Sequence, residues 1–204
     1  TAFNQPIGAW DVSPMTVKTD MFLGADAFHQ CLPWHEDFDA PPHCGETFPS
    51  NDELKAAVGE WLTNSGDAEG DYGPIEDWDV SRVMDLSDVF SCDEHVSDWP
   101  DDVPEQPCDE VDWNVEIGAW DTSAVTNMYA TFFGADTFNA PIGAWDVSKV
   151  TNMGWMFAFA TTFNQHLGAW DVDSVTDMVN MFRDASTFNQ DISAWDVSKV
   201  TDMS

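Results

Sequence analysis

Phe188-Asn189-Gln190-Asp191-Ile192-Ser193-Ala194-Trp195-Asp196-Val197-Ser198-Lys199-Val200-Thr201-Asp202-Met203 is the stretch that the rest of the chain repeats. Its Trp-Asp pair returns at Trp170-Asp171, Trp145-Asp146 and Trp120-Asp121, in steps of 25 residues. Two further copies, Trp78-Asp79 and Trp10-Asp11, fall out of step because extra segments intervene. A period of this size marks a repeat architecture, in which no unit buries its own apolar side and neighbours complete the core.

Alignment on the Trp exposes the apolar positions. Ile7, Ile75, Ile117, Ile142, Leu167 and Ile192 stand three residues before it, and Val12, Val80, Thr122, Val147, Val172 and Val197 two after. That pattern predicts a short strand with alternate side chains inward. Downstream, Val150, Met153 and Phe157 and their counterparts keep helical spacing, which predicts a short helical or 3₁₀ turn on the opposite side. Ser13, Ser81, Ser123, Ser148 and Ser198 suit its N-cap. The expected fold is therefore an α/β solenoid of leucine-rich-repeat type, with short parallel strands on one face and short helical turns on the other.

The unit Phe-Asn-Gln-x-Ile-x-x-Trp-Asp-Val-Ser-x-Val-Thr-x-Met-x-x-Met-Phe, closest to form at 139–157, 164–182 and 189–203, resembles the leucine-rich-repeat surface proteins of the BspA type. Lys18, Met84 and Trp113 depart from it, standing where Met, Thr and Phe are expected. The resemblance implies a secreted or cell-surface protein of adhesive or matrix-contacting type, without enzymatic activity. The partner does not carry over.

Between the units the chain changes character. Residues 1–48 read as the end of one repeat module followed by a Cys-containing loop, and 49–204 as a second module. Ser50-x-x-Glu53 is a capping box, and Leu54, Ala57, Val58, Trp61 and Leu62 follow at helical spacing, predicting a helix near 51–63 that caps the stack. Repeats run over 72–204, interrupted by an acidic insert at 91–112. The chain opens inside a repeat at Thr1 and stops inside another at Ser204, as a portion of a longer protein would.

With 38 acidic against 6 basic residues the formal charge is −32, which disfavours nucleic acid and anionic membranes as partners and favours cations or basic surfaces. No apolar run is long enough to span a bilayer. Cys31 with Cys44 and Cys92 with Cys108 bracket irregular segments, and in a surface protein this favours two local disulfides. Zinc is the competing reading, since His29, His35 and His43 lie close to the first pair and His95 to the second.

The Trp column belongs to the core by its inward phase, which leaves Trp34 and Trp99, in irregular segments, as candidates for an exposed aromatic contact. The Asn after each repeat Phe reads as a structural ladder. Asp121, Asp146, Asp171 and Asp196 follow the Trp column and should face outward as a candidate binding face. Bonds from turn amides to these carboxylates would ease their mutual repulsion.

Calcium is the one candidate cofactor, bridging that face or held in the insert by Asp93, Glu94, Asp98, Asp101 and Asp102. No nucleophile motif, phosphate loop or zinc-protease motif is present. The reading is a non-enzymatic extracellular repeat protein contacting protein or glycan, with possible partners including further copies of itself along the stack. A calcium-dependent binding module is the alternative. An ice- or mineral-binding surface, suggested by Thr16, Thr126, Thr151, Thr176 and Thr201, is the third reading.

Overall fold

The computed structural model describes residues 47–92 and 111–204. Two α-helices, α1 (Asn51–Thr63) and α2 (Ser65–Tyr72), lead into the first described unit, which opens with a 3₁₀ turn at Ile75–Asp77. Helix α1 begins where the capping box sets it: the Ser50 hydroxyl accepts the Glu53 amide at 3.3 Å. Leu54, Ala57 and Val58 are buried against the repeats.

The α/β solenoid expectation is overturned. Among the described residues the repeats contain no strand beyond isolated bridges, hence no sheet, and no α-helix lies within the units. Neither half of each described unit adopts the element expected of it. The Ile-x-x-Trp-x-Val segment, expected as a strand, folds into turns: Trp145 N–H donates to Ile142 O at 3.1 Å and Val150 N–H to Val147 O at 2.9 Å. A spacing of three closes a β-turn as readily as it skips along a strand, and the Asp between them stabilises the turn. No helix follows Ser81, Ser123, Ser148 or Ser198, so their expected N-cap role is unfilled, and Ser13 lies outside the described residues.

The Met-Phe segment, expected as helical, instead carries the bonds between units. Met153, Trp155, Phe157 and Phe159 donate their amides to Asp177, Val179, Met181 and Arg183 of the following unit, at 2.7–2.9 Å. The alternate amides of Met156, Ala158 and Ala160 close turns onto Met153, Trp155 and Phe157. Positive φ at Ala130, Trp155 and Asn180, and again at Gly134, Phe159 and Asp184, interrupts any helix here. Single parallel bridges link Asp85, Asn127, Asn152, Asp177 and Asp202 in series, so the units stack in register.

The core is a set of aromatic columns. Phe90, Phe132, Phe157 and Phe182 stack at centroid separations of 5.4–5.5 Å, and Phe138, Phe163 and Phe188 at 5.7–5.9 Å. The indoles of Trp120, Trp145 and Trp170 are buried, each with its polar edge satisfied by the preceding unit: Trp120 Nε1 donates to Ile75 O at 2.8 Å, Trp145 Nε1 to Ile117 O at 3.0 Å and Trp170 Nε1 to Ile142 O at 3.3 Å. Close stacking also explains Gly143, where a Cβ would stand 2.4 Å from the His166 carbonyl oxygen. Only glycine leaves room for that approach.

Helix α1 closes the end of this column at Trp78. The Asn51 side-chain amide donates to both Asp85 O and Ser87 O at 3.0 Å. Those carbonyls occupy the register that Asn127 O and Tyr129 O hold one unit further on, where they accept the amides of Leu86 and Asp88. One side chain thus serves two carbonyls that, within the column, accept main-chain donors.

Candidate functional site

The outward face that the sequence singles out is built from Asx turns. Asp79, Asp121, Asp146, Asp171 and Asp196 are all exposed. In each, Oδ1 accepts the amide two residues on, from Ser81, Ser123, Ser148, Asp173 and Ser198, at 2.9–3.1 Å. A short acidic side chain reaches its own i+2 amide without strain, which is why Asp recurs here. The Ser148 hydroxyl adds a second bond to Asp146 Oδ1 at 2.7 Å.

These donors favour the ionised carboxylate. Hydrogen bonds from the side chain and then the backbone of Ser123 hold Asp121 below the usual carboxylate range, and Ser148 does the same for Asp146. At Asp196 the Ser198 amide leads and the hydroxyl follows. Lys149 adds a smaller attraction on both Asp121 and Asp146, while Asp146 pushes the other way on Asp121.

The other polar columns are committed to the stack. Asn139, Asn164 and Asn189 each donate their amide to the Asn Oδ1 of the preceding unit at 2.9–3.0 Å. Gln165 and Gln190 add side-chain bonds to Asn139 and Asn164. Thr126, Thr151, Thr176 and Thr201 donate their hydroxyls to the preceding unit's carbonyl oxygens at 3.0–3.1 Å. A second Asx column, Asp85, Asn127, Asn152, Asp177 and Asp202, caps the ladder segment at the bridge positions. The sequence reading missed that column. Its signal was the Asp or Asn two residues after Val83, Val125, Val150, Val175 and Val200 in every described unit.

Cys92 is disulfide-bonded, and its partner is outside the described residues. Cys31, Cys44 and Cys108, Trp34 and Trp99, and the insert acids Asp93, Glu94, Asp98, Asp101 and Asp102 also lie outside them. Among the described residues no three His, Cys, Asp or Glu side chains gather as a metal site. Nor is any helix there long and apolar enough to cross a membrane.

A family model described as "Mycoplasma protein of unknown function, DUF285" matches residues 1–61, 63–99 and 106–204. The chain belongs to this family. Membership covers the repeats and the helical segment alike, and the family's description assigns no activity. Comparison with curated proteins gave no match, and neither did comparison with solved structures.

Proposed function

We propose that this DUF285 protein is a non-enzymatic extracellular scaffold of structural or adhesive type, its outer surface contacting protein or glycan. The observation that carries this reading is the division of labour among the repeat's polar residues. The recurring Asp, Asn, Thr and Trp residues are occupied with hydrogen bonds that hold turns and neighbours together. Residues that differ from unit to unit are therefore the ones left to give the surface its identity. The BspA-type resemblance of the unit points the same way, and a disulfide at Cys92 suits an oxidising compartment.

The test is binding of the purified chain to arrayed glycans and to immobilised extracellular matrix proteins. Saturable binding that survives chelation is expected. Absence of binding to both sets would sink the adhesive reading. Binding that needs calcium, with a thermal midpoint that rises on adding it at matched ionic strength, would favour the calcium-dependent module.

A further inference from the structure

The repeats act as their own reference, because each position is seen in several units at once. The first left-handed position of the ladder segment holds Asp88, Ala130, Trp155 and Asn180, and the second holds Cys92, Gly134, Phe159 and Asp184 in the same four units. Seven of these residues have positive φ, Trp155 at 59° and Phe159 at 62° among them. Gly, Asn and Asp adopt that backbone at low cost, whereas a bulky side chain does so only against steric resistance. One unit thus places aromatic rings at both strained positions.

Those rings meet. Phe133 of the preceding unit lies 5.8 Å from Trp155 and 5.4 Å from Phe159, centroid to centroid. From the following unit, the Arg183 guanidinium carbon lies 5.5 Å above the Trp155 ring and 5.8 Å above that of Phe159. Phe133, Trp155 and Phe159 are each part-exposed, and the Arg183 side chain is 52% exposed. Arg183 Nε faces Asp184 Oδ2 at 3.6 Å. On a chain carrying 6 basic against 38 acidic residues, a guanidinium on an aromatic platform stands apart from the rest of the surface.

We propose that Phe133, Trp155, Phe159 and Arg183 form a binding site for a glycan bearing a carboxylated sugar. The proposal rests on the scaffold reading above and narrows its partner. Contact with two rings restrains the guanidinium, lowering the ordering cost of ligand binding, and its planar fork matches a carboxylate. The part-exposed ring surface beside it suits the apolar face of a pyranose. Charge narrows the partner: a glycan with a single carboxylated sugar brings one negative group to the cation, whereas an acidic peptide or a polyuronic chain would bring many against the formal −32 field.

The probe is a short neutral sugar oligomer ending in one galacturonic acid, compared with the same oligomer after reduction of that carboxyl, by titration calorimetry on the whole chain. Trp155→Asn and Phe159→Gly restore residue types that other units carry at these positions, so they suit the backbone. Arg183→Ala removes the cation. The acidic oligomer should bind more tightly than the reduced one, with each substitution weakening it about tenfold or more, equivalent to roughly 1.4 kcal/mol. Arg183→Ala should erase the preference for the acidic oligomer. Thermal melts would show that the variants remain folded. Unchanged affinity in folded Trp155→Asn and Arg183→Ala would overturn the site while leaving glycan binding intact. Failure of the wild-type chain to bind the acidic oligomer, with binding to other glycans or matrix proteins retained, would overturn the ligand class but not the scaffold. Loss of all binding would remove the scaffold reading itself.

Discussion

The two ends of the described column carry the same unit and bury it differently. At one end Trp78 is 5% exposed, because Phe48, Trp61 and Tyr72 surround its indole and α1 covers the unit. At the other, Trp195, Ile192, Val197 and Val200 are only partly buried, although they repeat the buried Trp145, Ile142, Val147 and Val150. Burial in this fold is a property of the neighbour. The residues of a unit specify which side chains seek cover, and the next element supplies it.

The largest effect should come from truncating the same Trp in two places. Trp145 stands inside the column with its indole nitrogen bonded to Ile117 O. Trp145→Ala should cost about 3–5 kcal/mol, the range for deleting a buried aromatic side chain. Trp195→Ala should cost distinctly less, since part of its ring already meets water. Urea unfolding of both variants decides it, and equal losses would break the contrast between the ends.

A smaller effect should appear at the covered end. Asn51→Ala leaves Asp85 O and Ser87 O without the amide that serves them. A loss of about 1–3 kcal/mol is expected for unsatisfied groups of this kind. Asn51→Asp should be worse than alanine, because it sets a carboxylate against two carbonyl oxygens. If the aspartate is the milder change, the hydrogen-bonding account of the cap fails.

These contrasts also show what was legible in advance. The period, the inward Trp and Phe columns, the helix at Asn51–Thr63, the Asn ladder and the outward Asp could all be read from residue types at fixed offsets. The assignment of strand and helix could not. Spacings of three and four describe which residues face inward, and a chain of turns satisfies them as well as a helix does. What separates the two is φ, and Trp155 and Phe159 carry no sequence sign of a left-handed backbone. The aromatic site with Arg183 was hidden for the same reason, since it joins three units only once the turns set their register.

The smallest effect concerns acid and the Asx turns. The carboxyls of Asp121, Asp146, Asp191, Asp196 and Asp202 are held below their ordinary values by serine side chains and amides two residues on. A depressed carboxylate means the unfolded chain binds protons first as pH falls. The stabilisation is therefore complete above the unfolded value, about 4, and is lost as pH falls through the folded values. All five groups are nearly or fully exposed, so each contributes little and salt should weaken the charge part further. Asp146→Asn tests the turn without the titration, because Asn127 and Asn152 already show that an amide oxygen serves the same i+2 bond. That variant should stay folded and lose less stability than wild type on acidification below about pH 4. A matching acid slope in the two proteins would mean that the Asp146 turn takes no part in the pH dependence.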